Sequence, residues 1–286
     1  MSHKHTVILY HADCPDGFGG AFSAWKKFGV AAEYIPTDQQ ALPDVNLRQK
    51  DVYLVDMCYP LELMQKLLDT ARSVTVLDHH LGVRDVVEQM PTYVFDEKRS
   101  GATIAWSFFH PGVPVPMLLQ YVEDGDLYKF ALPDSRALLA FCYAQLFSFE
   151  EWDELAARME DPVERVKMRE RGEAYDEYGQ VLKKQVADKA WLVSFEGYEV
   201  LAVDAPRFFA SDVGHTLARH KPPLGLVVRV KRDGIRVSLR GDGSVDVAAI
   251  ARKYGGNGHP NSAAFIVPLG APLPFHAIHH HENPRH

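Results

Sequence analysis

The sequence predicts an α/β protein, with a parallel sheet in its first half and a smaller mixed α/β domain in its second. Three observations predict this. Short β-rich apolar runs alternate with amphipathic stretches through the first eighty residues. A long, charged, helix-favouring stretch follows. Beyond it, strand-like runs joined by a tight turn replace the alternation.

Each element has a local reason. Thr6-Val7-Ile8-Leu9-Tyr10 is β-rich and ends at His11, and Ala21 to Phe28 reads as a helix. Asp51 to Val55 is a second apolar run and stops at Asp56. Leu61 to Ala71 follows as a helix, with Leu61, Met64, Leu67 and Leu68 on one face. Ser73 to Leu77 is a third run and stops at Asp78. Ser148 and Glu151 form a capping box, and Asp161-Pro162 starts a further helix that leads to Trp191. Trp191 to Val203, Leu224 to Lys231 and Ile235 to Arg240 read as strands, with Arg232-Asp233-Gly234 as a hairpin turn. Val245 to Tyr254 reads as a helix and Ala263 to Val267 as a last strand. The domains expected are residues 1–147, a helical connector 148–190, a second domain 191–275 and a His-rich tail 276–286. That tail carries His276, His279, His280, His281 and His286, is read as solvated, and is given no function.

Composition narrows the function classes. Hydrophobic residues at 47% and charged residues at 24% exclude a mostly disordered chain. A net charge of −7 argues against a protein that grips long nucleic acid by neutralising many phosphates. The three cysteines, Cys14, Cys58 and Cys142, are odd in number and far apart, as expected of a reducing cytoplasm rather than a disulfide framework. No leader or membrane segment is read, since Thr6 to Tyr10 is too short for either.

The chemistry-bearing residues cluster at the strand ends. His11-Ala12-Asp13-Cys14-Pro15-Asp16-Gly17 sets one imidazole and two carboxylates within six residues. Asp56 stands alone after a very apolar run, and Asp78-His79-His80 closes the third run. Parallel strands deliver such residues to one edge, where open α/β sheets bind ligands. Oxygen-rich sets with one or two imidazoles suit hard or borderline divalent ions. Each motif taken alone also has a plainer reading, as a polar turn, a helix cap or a surface loop.

Together, and with Gly255-Gly256-Asn257-Gly258-His259 near the C-terminus, these motifs resemble the DHH/DHHA1 phosphoesterase superfamily. The resemblance covers nearly the whole chain. It implies a parallel-sheet DHH catalytic domain, a helical connector and a DHHA1 domain, with the active site in the cleft between domains. It further implies two divalent metal ions, most often Mn²⁺, with Mg²⁺ and Co²⁺ as alternatives. On that pattern His11, Asp13 and Asp56 hold one metal, and Asp16, Asp56 and His79 hold the other. A fourth carboxylate is expected from Asp126, with Asp124 as second choice, because Asp126 to Pro133 has the family spacing. His80 would contact the scissile phosphate and Asp78 would orient the histidine pair. Arg240, the loop Gly256, Asn257, Gly258 and His259, and Ser100 ahead of a helix would bind substrate.

Two departures from the family pattern stand out. The first motif has one extra residue between its two aspartates, so Asp13 fits the family pattern least well of the expected ligands. Asn257 and Ala264 occupy positions where glycine is usual. The activity expected is hydrolysis of short 5′-phosphorylated oligonucleotides or dinucleotides to mononucleotides. An exopolyphosphatase-like activity and a non-catalytic nucleotide sensor are the alternatives. A small nucleotidic substrate is the partner expected, with no long nucleic acid and no membrane. The oligomeric state stays open, a homodimer included.

Overall fold

A computed structural model describes residues 4–37, 41–232 and 234–278 of the protein. The chain divides into two compact units, Met1–Glu177 and Tyr178–His286. The division falls inside one helix, within the stretch read as a connector.

The first unit contains a five-stranded sheet. Its strands are β1 (Thr6–His11), β2 (Ala32–Thr37), β3 (Asp51–Val55), β4 (Ser73–Asp78) and β5 (Tyr93–Phe95). All neighbours run parallel in the order β2-β1-β3-β4-β5. Its helices are α1 (Pro15–Phe28), α2 (Leu61–Thr70), α3 (Arg84–Val87), α4 (Gly101–Phe109), α5 (Met117–Asp126), α6 (Ser135–Tyr143), α7 (Phe149–Glu160) and α8 (Pro162–Ala187), the last crossing into the second unit.

A parallel sheet must bury both faces, so its strands are apolar on both sides. Side chains alternate along β1 accordingly. Val7 and Leu9 enter a core with Met64 and Leu67 of α2, while Ile8 and Tyr10 enter another with residues of α1, α4, α5 and α7. The Ser148 hydroxyl accepts from the Glu151 N–H, and Asp161 accepts from Val163 and Glu164, so both expected caps form.

Helix α1 starts at Pro15, six residues before the sequence reading begins it. Gly17, Gly19 and Gly20 disfavour a helix by local propensity, at about 1 kcal/mol each. Close packing overrides that cost. A Cβ on Gly20 would lie 2.1 Å from Val55 Cγ1, and one on Gly17 would lie 2.3 Å from the His11 carbonyl oxygen. β2 and β5 are edge strands that the sequence reading leaves out.

The second unit is a mixed sheet of seven strands. Its elements are β6 (Trp191–Phe195), β7 (Tyr198–Asp204), α9 (Ala210–His220), β8 (Leu224–Val230), β9 (Ile235–Gly241), α10 (Val247–Lys253), β10 (Asn257–His259), β11 (Ser262–Val267) and β12 (Phe275–Ala277). Their order is β10-β11-β9-β8-β7-β6-β12, and only β7 and β8 pair in parallel. That pair needs a crossover, which α9 supplies. The single strand expected over Trp191 to Val203 is instead a hairpin, because Glu196 and Gly197 both take positive φ (52° and 84°) and turn the chain back. The β8–β9 hairpin closes through Lys231 N–H to the Gly234 carbonyl, and Asp233 lies outside the described residues. His276 belongs to β12 and pairs with Ser194, whereas His279, His280, His281 and His286 lie outside the described residues. Among the described residues no helix is long and apolar enough to cross a membrane.

Candidate metal centre

The strand order sets the site. β1, β3 and β4 are neighbours, and from β1 the chain goes to β2 on one side and then to β3 on the other. Such a switch point opens a crevice at the carboxyl ends of the strands. His11 ends β1, Asp56 directly follows β3, and Asp78 ends β4.

Asp56 is the hub. It is 1% exposed and sits at φ +58°, a left-handed conformation that aspartate tolerates better than most residues. Its Oδ2 lies 3.2 Å from His11 Nδ1, and its Oδ1 lies 3.1 Å from His79 Nε2. The same His79 nitrogen is 3.7 Å from Asp16 Oδ2 and 3.6 Å from Asp126 Oδ2. His80 Nδ1 donates to Asp78 Oδ1 at 2.7 Å and lies 3.7 Å from Asp56 Oδ1. Asp78 Oδ1 also accepts the backbone N–H groups of His79 and His80, which fixes the turn that presents both rings.

Asp16 lies in the first turn of α1 and reaches across to α4. Its carboxylate accepts the Gly101 N–H at 2.6 Å and the Ala102 N–H at 2.9 Å. An anion at a helix N-terminus is well placed for this. It needs a glycine at 101, because a Cβ there would fall 2.6 Å from Asp56 Cβ and 3.0 Å from Asp16 Oδ2. Ser100 caps this helix and is fully buried, its own N–H donating to Glu123. The expectation of a phosphate contact at Ser100 is therefore corrected. The first N–H groups of α4 already serve Asp16 and Glu123.

The two candidates for the fourth carboxylate part company. Asp126, the last residue of α5, stands beside His79. Asp124 accepts the N–H groups of Ala131 and Leu132 and builds the turn that follows. Asp13 is exposed at φ +52° and, among the described residues, belongs to none of the gathered donor groups. Cys14 stands among them, its thiol within 4.8 Å of donor atoms on His11 and Asp56.

Electrostatics reflect four carboxylates drawn together. Burial, with the Asp56 and Asp126 charges beside it, pushes Asp16 well above the usual carboxylate range. For Asp56 burial pulls upward too, but the His11 and His79 imidazoles outweigh it and hold the group well below that range. Burial opposes a charged His79, yet Asp56, Asp126 and Asp16 raise it to about 11. Asp78 Oδ2 is buried with no hydrogen-bond partner among the described residues. Crowded buried carboxylates, an orphaned carboxylate oxygen and three imidazoles fit divalent cations, which prefer this oxygen-and-imidazole set. His11, Asp16, Asp56, His79 and Asp126 would hold them.

The second unit gathers a different group. Arg240 donates to the Ser211 hydroxyl at 2.8 Å and to the Leu239 carbonyl at 2.9 Å. Gly214 makes room for it, since a Cβ there would lie 2.6 Å from Arg240 Cγ. His215, one helical turn beyond Ser211, is held low by burial and then by the Arg240 charge. Ser211 and His215 escaped the sequence reading because the strand pattern on either side hides α9. The glycine loop also differs from expectation. Asn257 to His259 pair as β10 with Ser262 to Ala264, and the N–H groups of Gly255, Gly256 and Gly258 donate to Arg252, Ala251 and the Asn257 side chain. The loop read as substrate-binding is thus one arm of a β-hairpin. Gly256 and Gly258 are there for closeness, with added Cβ atoms only 2.2 Å from the Ala264 oxygen and 2.4 Å from Ala263 Cα.

Solved structures share this architecture. The DHH domain of a member of the s1p family of ribosomal proteins aligns with a TM-score of 0.60 at 14% identity, over 91% of this chain and 82% of that one. The chain has the fold of that DHH domain. An exopolyphosphatase-related protein from Bacteroides fragilis matches this DHH fold with a TM-score of 0.51 at 12% identity, over 93% of this chain and 87% of the other. RecJ from Thermus thermophilus, solved in complex with Mn²⁺, gives a TM-score of 0.51 at 14% identity, over 92% of this chain and 50% of RecJ. No family model matches the sequence. A curated relative, an uncharacterized protein of Acanthamoeba polyphaga mimivirus, is 28% identical over 301 residues, spanning 95% of this chain and 70% of its own.

Proposed function

We propose that the protein is a divalent-metal-dependent phosphoesterase that cuts short 5′-phosphorylated oligonucleotides to mononucleotides. The observation that carries this reading is the convergence of Asp16, Asp56, Asp126, His11 and His79 at the β1/β3 switch point, with four carboxylate–imidazole approaches of 3.1 to 3.7 Å. The Mn²⁺ complex of RecJ, which has the same fold, supports it. Divalent ions held by His11, Asp16, Asp56, His79 and Asp126 would supply an acidified water and a clamp on phosphate oxygens.

The chain's own residues do the rest. Asp56 contacts both imidazoles and spaces the donors. Asp78 accepts from His80 Nδ1 and so fixes the orientation of that ring beside the metal donors. Asp16 is itself held by two N–H groups of α4, so its oxygens stay in place without substrate.

In the second unit Phe208 is 75% exposed, while its neighbour Phe209 is 8% exposed and belongs to the core. An exposed aromatic face suits a nucleobase and offers nothing to inorganic polyphosphate. This favours nucleotides over the exopolyphosphatase-like alternative. The test is Mn²⁺-dependent release of mononucleotide from a 5′-phosphorylated diribonucleotide, with polyphosphate in parallel. Phosphate release from polyphosphate alone would reverse the substrate assignment, and binding without turnover would favour the sensor.

A further inference from the structure

The first motif holds a donor that the family pattern does not supply. The run from His11 to Asp16 is one residue longer than the compact His-x-Asp-x-Asp form, and the structure resolves that excess in a particular way. Asp13 turns through φ +52° and stays exposed. Cys14 follows in extended conformation (φ −124°, ψ 127°) at the N-terminus of α1, and its side chain makes no capping hydrogen bond. Its sulfur, a His11 ring nitrogen and an Asp56 carboxylate oxygen lie within 4.8 Å of one another.

We propose that Cys14 Sγ, and not Asp13, is the third donor on the His11 side of the metal centre, which makes the centre thiolate-bearing. This rests on the metal-dependent reading above. Asp56 is shared between this trio and a second donor set, Asp56, Asp78, His79 and His80, and among the described residues Asp78 Oδ2 is buried with no hydrogen-bond partner. The other two cysteines, Cys58 and Cys142, are fully buried in separate hydrophobic cores.

The chemistry balances simply. The thiol S–H bond breaks, a sulfur–metal bond forms, and one proton leaves to solvent, with no change of oxidation state. A thiolate shifts selectivity toward softer ions, so Zn²⁺ and Co²⁺ should displace Mg²⁺ more readily here than in an all-oxygen-and-imidazole site.

The experiment is Co²⁺ titration of the metal-free protein, followed by equilibrium dialysis for bound metal and by near-ultraviolet absorption for the thiolate-to-cobalt charge-transfer band. The band is expected in the wild type, in Asp13→Ala, and in a Cys58→Ala/Cys142→Ala variant that keeps Cys14 alone. It should vanish in Cys14→Ser while Co²⁺ is still retained. Co²⁺ retained by the wild type without the band, or a band that survives Cys14→Ser, overturns the assignment and leaves the metal centre standing. A folded wild type that retains no Co²⁺ overturns both. Should Cys14→Ser fail to fold, the Cys58→Ala/Cys142→Ala variant decides the matter alone, because its band has no other sulfur of cysteine to come from.

Discussion

His79 Nε2 stands 3.1 Å from Asp56 Oδ1, and the two side chains are 2% and 1% exposed. A buried imidazole and carboxylate this close form the central contact of the site, and Asp56 makes a second such contact with His11. Asp56→Asn keeps the volume and removes the charge. Losing an outer partner of a ligand already costs about 10- to 100-fold in metal affinity. Asp56→Asn is therefore expected to weaken divalent-ion binding by at least about 100-fold, read by calorimetric titration with Mn²⁺. Near-native affinity in a folded variant would remove Asp56 from the centre.

The same pair sets a pH dependence for the metal-free protein. His79 is raised from 6.5 to about 11 in the fold. A base whose folded pKa is raised contributes stability that is fully present below pH 6.5 and is lost as pH rises toward 11. Asp16, also raised, acts in the same direction, since the fold favours its protonated form. The thermal midpoint of the chelator-treated protein should fall from pH 6.5 to pH 9. Bound metal replaces the proton on His79, so the Mn²⁺-saturated protein should lose that decline. Parallel declines in both forms would contradict the placement of metal at His79.

Asp124 and Asp126 should separate cleanly. Asp124→Asn removes a charged acceptor from the N–H groups of Ala131 and Leu132 and should destabilise the fold by about 1–3 kcal/mol. Asp126→Asn should leave stability nearly unchanged and weaken metal binding. Urea unfolding and metal titration on both variants read the two effects, and the reverse pattern would exchange their roles.

Gly101→Ala tests the approach of α4. Its Cβ would press on Asp56 and on the Asp16 carboxylate, at 2.6 and 3.0 Å. The helix must shift, at a cost of about 1–3 kcal/mol, and Asp16 loses the geometry of its two N–H donors. Both thermal stability and Mn²⁺ affinity should drop. A variant as stable and as tightly metal-bound as the wild type would mean that α4 does not hold Asp16.

Phe208→Ala is expected to leave stability unchanged and to raise KM for a diribonucleotide, by the equivalent of about 1–3 kcal/mol per stacked base. Steady-state kinetics read this. An unaltered KM would take Phe208 out of substrate recognition.

Much of the site was legible because its residues end β-rich runs. The apolar runs before His11, Asp56 and Asp78 declared three parallel strands, and adjacency of β1, β3 and β4 did the rest. What stayed hidden depended on contacts distant in the chain. Gly17, Gly19 and Gly20 disfavour a helix locally, yet they let α1 pack against β1, β3 and α4. Ser100 looked like a phosphate contact because nothing local reveals that Asp16, more than eighty residues earlier, uses the N–H groups beyond it. The glycine run read as a substrate-binding loop, and only pairing with Ser262 to Ala264 makes it a strand. Asp13 and Cys14 are adjacent, and no local pattern announces the positive φ at which Asp13 turns.

The most direct test of the central claim is turnover of a 5′-phosphorylated diribonucleotide at saturating Mn²⁺, measured for the wild type beside Asp56→Asn. The account predicts mononucleotide release by the wild type, abolished by chelator and lost in the variant. A folded, metal-loaded wild type that releases no mononucleotide, or an Asp56→Asn variant that turns over as fast, would contradict it.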